Sequence, residues 1–376
     1  MNNRPGRYLA GDLPPGRRVA QLRARRGMTQ QIFANRIGKS KSWVDKVERG
    51  LRNLDRFSTI EAVAEVLGVT PEILLSKAAR WPEPTGPAAD ALERVRATLA
   101  CYDTTATGRP APSADELTRR VNHAWEAYRH AHHPQVLRML PDLLTDARHL
   151  TANSPADTAD LLVRAYRLAA QVLIKLDEPE LAWLVADRAM TAAADDPRRA
   201  AMAVIPLTQA LRALHRGQLA ITAATTALQP LTPTPSRHDD FTLAGILHIQ
   251  AALAAATCDN PTAVRHHTRH AAHLATELGD HPHHGSGGDL DFAPVMVDLT
   301  RALTAAELGD SQHAINLHQH ATSGDAWRTL PAEHRAAYLI DISRAYLDLG
   351  DHRAAGQALV TADVTRLATT IGLIQR

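Results

Sequence analysis

A chain of 376 residues is long enough for two or more domains, and its 45% hydrophobic content is ample for buried cores. Aromatic residues make up only 4%, so those cores must be built from Ala, Leu and Val, which suits close-packed helices and excludes an aromatic-rich β architecture. The net charge of +2 hides a division: residues 1–80 carry 16 Lys and Arg against 7 Asp and Glu, and the remainder 26 against 33, so a basic head precedes an acidic body.

Cys101 and Cys258 are the only cysteines and lie far apart, which suggests neither a disulfide framework nor a Cys-ligated zinc site. No apolar run reaches membrane-spanning length, and the N-terminus MNNRPGRYLAGDLPPG lacks the apolar core of a signal peptide. A cytoplasmic protein with no membrane partner is expected. Lysine is scarce beside arginine and alanine is abundant, the bias of a GC-rich genome such as an actinobacterial one.

In chain order, residues 1–15 form a basic arm containing Pro and Gly, expected to be flexible. A first helix over residues 16–26 turns Val19 and Leu22 inward. Residues 29–53 then read as two short helices joined by a tight turn. Thr29 caps the first, and Phe33, Ala34 and Ile37 share one face at helical spacing. Gly38 ends it, as the residue that takes a left-handed conformation without a Cβ clash. Ser40 caps the second, Val44 and Val47 form its apolar face, and Gly50 closes it. Its solvent face carries Lys41, Ser42, Asp45, Lys46 and Arg49. Two helices at a steep angle, the second exposing donors near its N-terminus, are the helix-turn-helix of DNA readers. A fourth helix carries Phe57, Ile60, Val63, Ala64 and Leu67, and a fifth starts at Thr70-Pro71.

The segments Leu22-Arg23, Gly27-Met28-Thr29-Gln30, Ala34, Ile37-Gly38, Val47-Glu48-Arg49-Gly50 and Ala64 with Leu67-Gly68-Val69 make residues 16–75 resemble the phage-repressor, or Xre-type, helix-turn-helix domain. The resemblance implies a buried structural ion pair between Arg23 and Glu48. It implies that Lys41, Ser42 and Lys46 face the major groove of double-stranded DNA, and that Gln30, Ser40, Arg49, Arg52 and Asn53 approach the phosphates. Asp45, which phosphates would repel, either accepts from a cytosine amino group or faces away. Trp43 is expected to pack against a neighbouring helix or a partner subunit.

The run Trp81-Pro82-Glu83-Pro84-Thr85-Gly86-Pro87 marks a boundary, because successive prolines stop helices and stiffen a linker. Residues 81–113 are assigned to that linker, with a candidate connecting helix over 88–101. From residue 114 to 376 the pattern is helical and repeats. Leu176, Leu214, Thr257, Leu308 and Leu349 are each followed six residues on by Ala182, Ala220, Ala263, Ala314 and Ala355, at intervals of 38, 43, 51 and 41. Seven residues further come Ala189, Ala227, His270, Ala321 and Ala362, and twelve before the first alanines sit Ala170, Thr208, Ala251, Ala302 and Ser343. Small residues at these points let paired helices approach closely. The pattern resembles the tetratricopeptide repeat, with a longer period and few of its aromatic positions. The expectation is an all-α chain: a five-helix head at 16–80, then a tetratricopeptide-like solenoid of about six helix pairs.

No nucleophile elbow or Walker motif is present, and an enzyme is not expected. His266, His267, His270 and His273 share one helix but have no neighbouring Glu, Asp or Cys to complete a metal site, so neither metal nor cofactor is expected. The Gly-rich run at residues 283–291 follows a helix and a proline, and reads as a mobile inter-repeat loop. In the resembling repeats the first helix of each pair lines the concave face. That would present Arg164, Arg167, Gln171, Lys175, Gln209, Arg212, His248, Arg301 and Arg344, a basic groove for a peptide carboxylate or another anion. Charge reversal at Arg164 and Arg167 would then remove a ligand response and leave DNA binding intact. Taken together, the residues suggest a homodimeric transcription regulator sensing a peptide or small molecule. The alternative is a DNA-tethered adaptor whose solenoid holds a protein partner.

Overall fold

The computed structural model of the chain describes residues 15–26, 28–50, 52, 54, 57–69, 87–101, 112–231, 238–278, 283–284 and 289–362. It is all-α: the described residues form 18 helices and one pair of two-residue strands. Two compact units divide the chain, Met1–Glu83 and Pro84–Arg376. The basic arm, the fifth head helix and the Pro-rich run before residue 87 lie outside the described residues.

The first unit contains α1 (Pro15–Arg25), α2 (Gln30–Arg36), α3 (Lys41–Glu48) and α4 (Phe57–Val66). Helix α2 starts where Thr29 Oγ1 accepts from the Ile32 amide at 3.2 Å, and α3 where Ser40 Oγ accepts from the Trp43 amide at 3.1 Å. Gly38 and Gly50, at φ of 65° and 74°, make the turns that follow each helix. Val19, Phe33, Ala34, Val44, Val63 and Leu67 form the core, and half-buried Trp43 packs against it.

The second unit begins with α5 (Pro87–Ala100). Composition assigns this stretch to a linker. Ala91, Leu92, Val95 and Leu99 instead bury one face of α5 in the main core of the second unit. The Arg148 guanidinium donates to the Cys101 and Thr98 carbonyls at 2.8 and 3.0 Å, and so satisfies the helix C-terminus with a cation.

Six antiparallel pairs follow: α6 (Ala114–Arg129) with α7 (His133–Asn153), α8 (Pro155–Lys175) with α9 (Pro179–Ala193), and α10 (Pro197–Ala213) with α11 (Gly217–Leu228). Next come α12 (His238–Thr257) with α13 (Pro261–Leu278), α14 (Pro294–Glu307) with α15 (Ser311–Ser323), and α17 (Ala332–Asp348) with α18 (His352–Thr361). The short α16 (Asp325–Thr329) joins the last two pairs. Many of these helices open with a proline in the first turn, where its missing N–H is not needed. The first helices of successive pairs pack on one another, which makes one layer of the solenoid from α6, α8, α10, α12, α14 and α17. Helix α17 also reaches α6, so the last pair meets the first.

Most of the small residues that define the repeat are at the helix contacts. Ala170, Ala182, Ala189, Thr208, Ala220, Ala302 and Ala314 are fully buried. The third copy corrects the register by one residue. Its turn places the left-handed residue at Asp259 (φ 52°), matching Asp177, His215, Gly309 and Gly350, so Cys258 and not Thr257 is the equivalent of Leu176. The shift replaces half-buried Ala263 and exposed His270 by buried Val264 and Ala271. A twelve-residue step lands on Ala252 in place of Ala251, and both are small, so composition does not register the slip.

Helix α12 is long and apolar enough to cross a membrane by length and composition alone, which corrects the expectation that no run reaches that length. Its apolar residues are mostly buried among neighbouring helices. Gly245 lies on it where a Cβ would come within 2.3 Å of the Phe292 ring. Gly245→Ala is expected to destabilise the second unit by about 1–3 kcal/mol, the cost of overpacking a filled core. Urea denaturation followed by circular dichroism measures it.

Candidate functional site

In the first unit one carboxylate organises the exposed helix. Glu48, at the end of α3, accepts from Arg23 Nε at 2.5 Å and Nη2 at 3.0 Å on α1, and from Gln30 Nε2 at 2.8 Å on α2. Arg23 Nη1 also donates to the Met28 carbonyl at 2.6 Å. Hydrogen bonding to Glu48 raises the Arg23 pKa against the opposing effect of burial. Three helices are therefore pinned by one buried ion pair, with α3 held in a single orientation. The Gln30 amide, expected from the resemblance at a phosphate, gives one of its two N–H donors to Glu48.

Ser40, Lys41, Ser42, Lys46, Arg49 and Arg52 are exposed, and Asn53 lies outside the described residues. Asp45 pairs with Arg49 at 3.0 Å one turn along α3, which draws its charge away from the helix N-terminus. The exposed face of α3 thus offers Lys41 and Ser42 from its first turn and Lys46 from its last as donors on a fixed scaffold.

The second unit holds a partly open cavity of about 90 Å³ lined by Trp125, Tyr128, Arg167, Gln171, Gln209, Gln250, Asp289 and Glu333 among others. Of the expected groove residues, Arg167, Gln171 and Gln209 line it. Arg164 is buried beside it, with Nε on Asp289 Oδ2 at 3.2 Å and Nη2 on Asn122 Oδ1 at 2.8 Å. Arg167 is fully buried, donates through Nη1 to the same Oδ2 at 2.6 Å, and lies 5.2 Å from the Trp125 ring centroid. Burial pushes the Arg167 guanidinium below its ordinary pKa, and Asp289 opposes that shift. Glutamates at both positions would bury like charges against Asp289, so charge reversal tests folding, not ligand response.

Lys175 does not line the cavity, and its Nζ bonds Glu333 Oε1 at 2.8 Å. Arg212 turns to Gln250 Oε1 at 3.4 Å. Arg301 and Arg344 are exposed away from the cavity, Arg301 pairing with Asp298 at 2.9 Å. His248 belongs to the slipped third copy. It faces its hairpin partner, with Nδ1 3.0 Å from Nδ1 of His267, while Gln250 two residues on lines the cavity. The basic groove is therefore a smaller, internally paired pocket.

His270 stacks on His248 at 5.1 Å, and His266 meets His270 at 4.4 Å. Among the described residues no group of three or more His, Cys, Asp or Glu is arranged to hold a metal ion. Burial, then the neighbouring imidazoles, hold His248 near a pKa of about 3 and His267 near about 4. Both lie below the unfolded value of about 6.5. The unfolded chain binds more protons in between, so this stabilisation is full above pH 6.5 and is lost as pH falls toward 4. His248→Phe is expected to flatten the fall in denaturation midpoint between pH 7 and pH 4.

Sequence reasoning missed Trp125, Asp289 and Glu333. Asp289 and its neighbours belong to the Gly-rich run read as a mobile loop, yet Leu290 and Phe292 are buried and Asp291 pairs with Arg129 at 3.4 Å. The only available signal was the alternation of acidic and apolar residues in Asp289-Leu290-Asp291-Phe292. Glu333 left none.

Residues 16–75 match a family described as a helix-turn-helix domain, so the head is of that class. No curated protein matches the chain. Among solved structures, the chain is similar to Bacillus thuringiensis PlcR in complex with the peptide PapR7 and DNA, at 11% identity, covering 96% of this chain and 99% of that one, with a TM-score of 0.39. It is also similar to the PrgX/iCF10 complex, at 10% identity, 96% and 99% coverage and a TM-score of 0.28. A point mutant of PrgX matches at 12% identity, 94% coverage of both chains and a TM-score of 0.28. Superpositions that loose transfer no residue, ligand or partner to this chain.

Proposed function

We propose that this chain is a cytoplasmic, sequence-specific DNA-binding transcription regulator of the Xre type, whose helical-repeat unit senses a peptide or small anionic effector and dimerises. The observation that carries the DNA reading is the fixed α3 with Lys41 and Ser42 exposed in its first turn and Lys46 in its last. The Arg23–Glu48 pair holds that helix rigidly, as groove readout requires. Lys41 and Lys46 donate to guanine edges, and Ser40, Arg49 and Arg52 approach phosphates. A homodimer would set two heads on half-sites one helical turn apart. An effector that binds one form of the solenoid better shifts operator affinity by that difference. The charged and amide groups among the cavity's mixed lining, Arg167, Gln171, Gln209 and Gln250, support a small polar effector, whereas a wholly apolar groove would favour the adaptor alternative.

Lys41→Ala and Lys46→Ala are each expected to weaken operator binding about tenfold, the worth of one base contact, and binding to random DNA far less. The operator comes from genome-wide capture with the purified protein, and the affinities from titrations on operator and random duplexes at fixed salt. Equal losses on both would assign these lysines to phosphates alone. No enriched site would count against the regulator reading.

A further inference from the structure

Residues 289–292 sit in the second unit as a bound peptide would, with side chains buried on every side. Leu290 and Phe292 are 7% and 2% exposed, and the Asp289 side chain is 2% exposed. The far end is anchored: Phe292 packs on Gly245, and Asp291–Phe292 pairs with His283–His284 as a two-residue strand. The near end is a single carboxylate, and it engages Arg167 incompletely. Of the Arg167 donors, only Nη1 reaches Asp289 Oδ2, which also accepts from Arg164 Nε at 3.2 Å. Nε and Nη2 of Arg167 are buried and have no hydrogen-bond partner among the described residues, as is Nε1 of Trp125, and both side chains line the cavity. Nε and Nη2 form the adjacent donor pair that grips a carboxylate bidentately. The cavity acids do not fill this role, because Glu333 is held by Lys175 and Asp291 by Arg129. At about 90 Å³ the space has room for a carboxylate on a short stem.

We propose that this cavity binds one carboxylate of the effector on the Nε–Nη2 edge of Arg167 and the Trp125 indole N–H, and that Asp289 is a tethered competitor which the incoming anion displaces. The inference rests on the second unit being the sensing domain. Two carboxylates on one buried guanidinium repel each other, and Asp289, which keeps Arg164 as a second partner, is the one that gives way. The unliganded state is then held by the chain's own acid, and the ligand class is an acid presented at a chain end or a short side chain.

The test uses the full chain labelled with ¹⁵N. Its five tryptophans give few indole signals, and Trp125→Phe assigns the one of interest. Sodium acetate is titrated against sodium chloride at equal ionic strength, on wild type, Asp289→Asn and Asp289→Glu. A saturable acetate-specific shift of the Trp125 signal is expected, at least tenfold tighter in Asp289→Asn, with Asp289→Glu restoring the wild-type affinity. Equal affinity in wild type and Asp289→Asn overturns the competitor while leaving the pocket. No acetate-specific shift in any variant whose indole signals stay dispersed overturns the pocket itself. Neither result bears on the regulator reading, which fails separately if no operator is found.

Discussion

Replacing Glu333 by alanine is expected to cost the second unit about 3–5 kcal/mol, because it leaves a charge inside the protein without its partner. Glu333 is 4% exposed and enters from α17, the first helix of the last pair. It receives Lys175 Nζ from α8 at 2.8 Å and a hydrogen bond from the Tyr128 hydroxyl on α6. One carboxylate therefore ties the last repeat to the first two. Burial alone would raise its pKa, but Lys175, then His334, hold it down at about 2. That lies below the unfolded value, so this stabilisation is present above about pH 4.5 and is lost as pH falls toward 2. Urea denaturation of wild type, Glu333→Ala and the double variant Glu333→Leu with Lys175→Met measures the effect. The double variant is expected to recover most of the loss, since no charge is stranded. An equally severe loss in the double variant would mean that packing at this junction, not the charge, holds the ends together.

Glu48→Ala is expected to be as damaging within the head, by about 3–5 kcal/mol. The Arg23 side chain is 15% exposed and would keep only the Met28 carbonyl, while Gln30 would lose its acceptor. A small domain has a total stability of about 5–15 kcal/mol, so that cost removes a large share of it. Hydrogen exchange of the α3 amides reads the loss in the head alone, since the second unit has its own cores. Operator binding and random DNA binding should fall together, in contrast to the Lys41 and Lys46 variants. Protected α3 amides in Glu48→Ala would show that the apolar core suffices and that the pair sets orientation only.

Much of the head was legible in the sequence because its rules are local. A Ser or Thr oxygen caps a helix three residues downstream, a glycine ends it, and Phe33, Ala34, Val44 and Val47 mark the inward faces by spacing alone. The repeat was legible for a similar reason: close helix packing demands small residues at fixed intervals. It failed by one residue only where Ala251 and Ala252 made two registers look alike, and that slip turned His248 from its true hairpin neighbour, His267, toward an imagined groove.

By itself, then, the sequence determined the helical class, the helix-turn-helix head and the six-pair stack, and its resemblance to a known family implied the Arg23–Glu48 pair. The tertiary structure alone decided which charges of the second unit face one another. Asp289 meets Arg167 across 122 residues of chain, and Glu333 meets Lys175 across 158. Neither pairing leaves a periodic trace, because an ion pair between distant segments is set by how the layers close and not by the residues beside it.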